Sequence, residues 1–193
     1  MVCLRVIEEY AHKNNIPIML PDGIDFLTDY IKKNNVKRIL EIGSAIGYSA
    51  IRMALVSDDI SVVTIERDTD RFNEAVRNVD DFGLSDRISI IHDDALECSI
   101  DGKFDLIFID AAKAQYIKFF EKYKSNLSKN GVIVSDNLDF HGMVNNIDSI
   151  TNRNTKQLVR KISNYIDFLK NNNEFDTEFF SIGDGIGISR RKS

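Results

Sequence analysis

A chain of 193 residues, 43% apolar and 28% charged with a net charge of −5, has the composition of an ordinary globule and the length to bury a core without disulfides or structural metal. The acidic balance argues against a general nucleic-acid coat protein, and no apolar run approaches the ~18 residues of a membrane span. Cys3 and Cys98 lack a CxxC partner and read as reduced thiols, and acids come too early in the N-terminal stretch for a signal peptide, so a cytoplasmic protein is expected.

Helical patterns come first, over 2–14 and 22–34, as flanks to a sheet. Near-continuous Ile/Val/Leu runs then predict strands buried on both faces, as in a parallel sheet: "RILEIG" (38–43), "SVVTIER" (61–67), "RISIIHD" (87–93), "FDLIFID" (104–110) and "GVIVSDN" (131–137). Between them "GYSAIRMALV", "TDRFNEAVRNVDDFG" and "QYIKFFEKYKSNL" are long enough for crossover helices, with Gly83 and Gly131 at helix stops. A helix over 154–171 follows, its apolar face drawn from Leu158, Ile162, Ile166 and Leu169 and its basic face from Arg153, Lys156 and Arg160. Last come "FDTEFFSI" and "GIGISRR", joined through "GDG" as a hairpin that would end the sheet antiparallel. No composition break marks a linker. The expectation is one domain over 1–193, with a helical flank over 1–35 and a doubly wound α/β core over 36–193.

"EIGSAIGYSA" (41–50) hands the first strand to a helix. In a dinucleotide fold the second glycine of the turn lets the backbone approach a pyrophosphate; here Ala45 takes that position, between Gly43 and Gly47. A ligand without pyrophosphate would not need the missing glycine. Glu66 ends the second strand, 23 residues after Gly43, where a carboxylate can hold both hydroxyls of a ribose. A nucleoside without phosphates suggests S-adenosylmethionine, the alternative being a tight turn with a structural role alone.

Asp110 ends the fourth strand, and Asp136 and Asn137 end the fifth, all at the carboxyl edge where open α/β sheets bind ligands. Two carboxylates and an amide carbonyl are hard oxygen donors suited to Mg²⁺, and no His/Cys cluster competes for a softer metal. The alternative is capping of the turns after the strands. Lys113, three residues after Asp110, returns to the same edge, where a cation and a sulfonium would lower its pKa toward that of a general base; the alternative is an ordinary solvated lysine. His12 and His92 read as ordinary surface or strand positions, and His141 sits in the loop after the metal edge with a substrate contact open. Tyr48 and Arg52 flank the cofactor turn, open between substrate contact and packing.

"LEIGSAIGYSAIRMA", "IERD", "DDALE", "FDLIFIDAAKAQY", "VSDN" and "IGDGIGIS" occur in the order seen in the metal-dependent O-methyltransferases, the group of the catechol and caffeoyl-CoA enzymes. From about 16 to 190 the chain resembles most closely the bacterial members that methylate 5-hydroxyuridine in tRNA. That resemblance implies a Rossmann-like methyltransferase fold, S-adenosylmethionine and Mg²⁺, and a homodimer. It implies that Glu66 binds the ribose, that Asp94 and Ala95 meet the adenine edge, that Ser49 holds the methionine carboxylate, and that Met19 closes over the cofactor. Gly43 shapes the cofactor turn; Asp110 serves cofactor, metal and catalysis, with Asp136 and Asn137 completing the metal set and Lys113 as the catalytic lysine.

The acceptor is open between wobble uridine in tRNA and a small catechol-like phenol, either of which offers neighbouring oxygens to a cation. Charge is uneven. Residues 150–193 hold eight basic against five acidic residues, a net of +3; residues 1–149 hold 17 against 25, a net of −8. The basic helix face and Arg190, Arg191 and Lys192 favour tRNA. Rival classes are a nicotinamide oxidoreductase, disfavoured by Ala45, and a non-catalytic RNA-binding module, disfavoured by the presence of Glu66, Asp110, Lys113, Asp136 and Asn137 together.

Overall fold

The computed structural model describes residues 3–140, 142–144, 148 and 150–192. Two amphipathic helices come first, α1 (Leu4–Lys13) and α2 (Pro21–Lys33), burying Ile7 and Ala11 from one and Ile24, Leu27 and Ile31 from the other at helical spacing. Proline opens α2, where its absent N–H has no partner to lose. The core then runs β1 (Arg38–Ile42), α3 (Tyr48–Ala54), β2 (Ser61–Glu66), α4 (Thr69–Asp81), β3 (Ile88–His92), β4 (Phe104–Ile109), α5 (Tyr116–Tyr123), β5 (Leu127–Ser135), α6 (Arg153–Lys170), β6 (Phe175–Phe180) and β7 (Ile186–Arg191). Asp68 caps α4 by accepting from the Arg71 N–H, and Asn152 caps α6 by accepting from Thr155.

The seven strands form one sheet in the order β3-β2-β1-β4-β5-β7-β6. β1 to β5 pair in parallel, and β7 lies antiparallel to both β5 and β6, so the expected hairpin closes the sheet. Successive residues of β1 face opposite sides. Ile39 packs with Ile24, Ile51 and Leu106 beneath α1 to α3, while Leu40 and Ile42 pack with Ile107, Tyr116 and Phe120 beneath α5 and α6. Both faces are covered, which is why the strands read as unbroken apolar runs. Strand order reverses between β1 and β4, and the crevice outside the carboxyl ends at such a point takes the ligand.

Two local expectations are corrected. Gly131 lies inside β5, not at a helix stop: pairing with β4 is irregular there, and a side chain at Gly131 would stand 2.9 Å from the carbonyl oxygens of Phe104 and Asp105. The buried face of α6 is Val159, Ile162, Tyr165 and Leu169, with Leu158 and Ile166 only half-buried. The Tyr165 hydroxyl shares a 2.7 Å hydrogen bond with Ser135, and its ring meets Tyr116 edge-on at 5.2 Å. Phe120 meets Phe168 and Phe175 in the same manner, at 5.3 and 5.1 Å. Such pairs add about 0.5–1.5 kcal/mol each beyond burial, which outweighs an aliphatic stripe one position away.

Candidate active site

The turn after β1 is shaped by its neighbours. Gly43 has φ +97°, and a side chain there would stand 2.4 Å from the Asp110 carbonyl oxygen, so glycine is required by the approach of β4. Ala45 also lies in the left-handed region, at φ +44°. Two bonds hold it: its N–H donates to Glu66 Oε2 at 2.9 Å, and Asn78 Nδ2 donates to the next carbonyl, Ile46, at 2.9 Å. Glu66 Oε1 accepts from the Asp68 N–H at 2.9 Å. Both oxygens are thus fixed by backbone, each with a remaining lone pair.

Gly43, Ser44, Ala45, Ser49 and Glu66 form one wall of a cleft of about 420 Å³. Asp93, Asp94, Ala95 and Leu96, past the end of β3, continue that wall. Asp94 Oδ1 accepts from the Leu96 N–H at 2.8 Å, and Oδ2 lies 3.6 Å from Arg67. Met19 lines the cleft and is 5% exposed in the core, so closing over a ligand and packing are the same placement.

Ser49 lines the cleft, but its hydroxyl proton is committed: Oγ donates to Glu41 Oε1 at 2.5 Å. To hold an anion, Ser49 must turn that proton away from Glu41. Thr64 Oγ1 donates to Glu41 Oε2 at 2.6 Å. Burial pushes the Glu41 carboxyl up to about 7, against the pull of these two hydrogen bonds. Sequence reasoning passed over Glu41, although a lone charge inside a strand buried on both faces is the signal that finds it.

The opposite wall carries Asp110, Lys113, Asp136 and Asn137. β5 stops at Ser135, and Asn137 turns the chain at φ +63°, which asparagine tolerates. Asn137 Nδ2 donates to Asp110 Oδ1 and to Asp136 Oδ2, both at 3.0 Å, so the amide bridges the two carboxyls. Burial raises the Asp110 carboxyl, with Lys113 drawing it back; burial and the Asp110 charge push Asp136 up to about 8. Lys113 opens a short turn (Lys113–Gln115), half-buried, with Nζ 5.6 Å from the centre of the Phe140 ring. Asp184, from the β6–β7 turn, also lines this wall and was not anticipated.

A cation fits this donor set. Asp136 Oδ1 is buried with no hydrogen-bond partner among the described residues, as is Ser44 Oγ on the other wall, and an orphaned carboxylate oxygen in a cleft is the position a metal would satisfy. Among the described residues no three His, Cys, Asp or Glu side chains are arranged to hold an ion. The third protein donor would therefore be Asn137, with its amide turned so that oxygen, not nitrogen, faces the carboxyls.

Tyr48 also lines the cleft, but its hydroxyl is turned to packing: it donates to Glu8 at 2.7 Å, and Arg52 donates to Tyr48 and to Asp25, so this pair ties α3 to α1 and α2. β7 starts at the cleft, with Gly187 opposite Ser135, and runs away from it. Arg190, Arg191 and Lys192 thus sit at the far edge of the sheet, paired with Glu178, Glu174 and Asp176. The antiparallel direction of the last strand carries this basic end away from the cleft. α6 likewise starts at the cleft end and runs away from it, with Arg153 and Arg160 exposed and Lys156 half-buried, 3.9 Å from Asp148. His141 lies outside the described residues. No helix among them is long and apolar enough to cross a membrane.

Residues 1–192 match the family model described as O-methyltransferase. Caffeoyl-CoA O-methyltransferase of Populus kitakamiensis is 26% identical over 193 residues, covering 95% of this chain and 82% of that protein. A provisionally assigned caffeoyl-CoA O-methyltransferase of Staphylococcus aureus has a solved structure with TM-score 0.94 at 39% identity, covering 100% of this chain and 93% of that one. An O-methyltransferase of Bacillus cereus, solved in complex with SAH, gives TM-score 0.83 at 25% identity over 98% and 90% of the two chains.

Proposed function

Because the chain belongs to the O-methyltransferase family and is an S-adenosylmethionine-dependent O-methyltransferase, we propose that its cleft holds the methyl donor on the Glu66 wall and Mg²⁺ on the Asp110 wall, and that its acceptor is 5-hydroxyuridine at the tRNA wobble position, giving 5-methoxyuridine. Glu66 takes the two ribose hydroxyls on its free lone pairs, Asp94 and Ala95 meet the adenine, and Ser49 receives the methionine carboxylate once its proton leaves Glu41. The likeness to a Bacillus cereus enzyme solved with SAH, the demethylated product, supports the donor.

Asp110, Asp136 and Asn137 would hold the cation, which as a Lewis acid favours the oxyanion form of an acceptor hydroxyl. Lys113, at the same edge, enters the reaction as the free amine and takes the acceptor proton on Nζ, becoming the ammonium. Packing of Met19 across the donor excludes water from the reacting face. Orientation of acceptor oxygen and methyl carbon between the two walls supplies the remainder of the rate.

The observation behind an RNA acceptor is the basic first half of α6, which starts at the cleft end with Arg153 and Arg160 exposed. A small phenolic acceptor is the second reading, favoured by the Populus kitakamiensis relative, whose name specifies caffeoyl-CoA. The double variant Lys156→Glu, Arg160→Glu separates them. It should impair methylation of tRNA while leaving a catechol's methylation intact; equal rates on tRNA for variant and wild type would support the phenolic acceptor. Assembly as a homodimer, and a cytoplasmic location, belong to the same proposal; sedimentation as a monomer at micromolar concentration would count against the dimer.

A further inference from the structure

β1, β2 and α3 enclose one carboxyl that methyl transfer itself does not use. Glu41 and Thr64 are fully buried, and Ser49, which lines the cleft, is 8% exposed. Ser49 Oγ stands 2.5 Å from Glu41 Oε1, and Thr64 Oγ1 stands 2.6 Å from Glu41 Oε2. With the carboxyl ionised, both hydroxyl protons point to it, and Ser49 has only lone pairs left for the cleft. Lone pairs repel a carboxylate. With a proton on Oε1 the first hydrogen bond reverses: Glu41 donates to Ser49 Oγ, Thr64 still donates to Oε2, and Ser49 can donate its own proton into the cleft. No heavy atom has to move for this exchange.

Resting on Ser49 as the site of the methionine carboxylate, we propose that Glu41 is a positioning residue that couples donor binding to the uptake of one proton from solvent. The donor binds the form in which Glu41 carries a proton on Oε1, and Ser49 passes that state on to the ligand by the direction of its hydroxyl. The surroundings of Glu41 favour this form. A carboxylate held by Ser49 would stand one hydroxyl away from an ionised Glu41, and like charges so placed disfavour ionisation. The charged groups facing Glu41 are Glu66 at the end of β2 and Asp110 past the end of β4, both acids that oppose its ionisation; Ser49 of α3 and Thr64 of β2 bring no charge. Burial, the largest influence, already holds the carboxyl at about 7. Donor affinity is therefore complete below pH 7 and falls as pH rises through it.

The test is calorimetric titration of S-adenosylmethionine into the purified full chain at pH 6 and pH 8, in buffers of different ionisation heat. Chelator is present throughout, so that the Asp110 wall is in one state for every protein. Glu41→Gln fixes the protonated arrangement at all pH values, because its amide nitrogen donates to Ser49 while its carbonyl accepts from Thr64. The donor's own amine also titrates in this range, at about 8, but equally for both proteins. From pH 6 to pH 8 the wild-type Kd should rise about 10-fold more than that of Glu41→Gln. At pH 8 the wild type should also take up close to one more proton. Equal pH dependence and equal proton uptake in the two proteins would overturn the coupling and leave the Ser49 reading standing. Ser49→Ala tests that reading separately: weaker donor binding at pH 6 is expected, and wild-type affinity there would overturn the Ser49 site and this inference with it. Should Glu41→Gln not fold, Glu41→Met, which likewise cannot titrate, is judged by the same pH criterion.

Discussion

The hydroxyl of Ser49 donates to the buried carboxyl of Glu41 at 2.5 Å, across the junction between the first strand and the helix after the glycine turn. Glu41 is fully buried, and its pKa stands at about 7, above the 4.5 of a free glutamate. A raised acid holds its proton in the folded state. Its contribution to stability is therefore complete below pH 4.5 and is lost as pH rises through about 7. The loss is on the order of 3 kcal/mol, from about 1.4 kcal/mol for each pKa unit. Glu41→Gln should lack this decline. Urea unfolding at pH 5 and pH 8 checks it, and parallel pH dependence in the two proteins would rule it out.

Glu66 holds the Ala45 and Asp68 N–H groups, one on each oxygen. In Glu66→Gln one oxygen becomes an NH₂ facing a backbone donor, and the charge available to a ribose disappears. Charge-assisted hydrogen bonds contribute about 1.5–3 kcal/mol, so S-adenosylmethionine should bind at least ~10-fold more weakly. Calorimetric affinity within twofold of wild type would remove Glu66 from the ribose site.

Asp136 is buried, and its carboxyl is pushed up to about 8 by burial and by the Asp110 charge. Asp136→Asn relieves that cost in the cation-free protein while deleting a ligand. Tm measured in chelator should rise, by roughly 2–4 °C for each kcal/mol regained, while methyl transfer is abolished and donor binding survives. A variant that keeps turnover would contradict the role of Asp136 in metal binding.

Gly43→Ala places a methyl group 2.4 Å from the Asp110 carbonyl at a backbone angle of φ +97°. Strain of this kind costs about 1–3 kcal/mol before the clash is counted. Chemical denaturation should show a loss larger than that, and donor binding should weaken as the turn shifts against β4. Unchanged stability would mean that the approach of the two strands is looser than the structure has it.

Much of this was legible in the sequence because buried parallel strands leave a plain signature. The first four apolar runs each contain a strand of the sheet and the fifth overlaps β5, which begins earlier, at Leu127; the residues at their ends, Gly43, Glu66, Asp110, Asp136 and Asn137, meet at one cleft. What escaped depends on contacts between distant segments. Whether α6 buries Leu158 or Val159 is decided by Tyr165 finding Ser135, thirty residues away. The place of Arg190 and Arg191 depends on the direction of β7, which local charge does not encode. Asp184 sits in a Gly-Asp-Gly stretch that reads as a turn, and only the fold brings it beside Asp110.

The most direct measurement is methyl transfer itself: purified protein, S-adenosylmethionine and tRNA carrying 5-hydroxyuridine at the wobble position, digested and read by nucleoside mass spectrometry. With Mg²⁺ present, 5-methoxyuridine should accumulate with turnover; with the ion chelated it should not, although the donor still binds. Full activity in chelator would contradict the cation wall, and methylation of a catechol with none of the tRNA would contradict the acceptor.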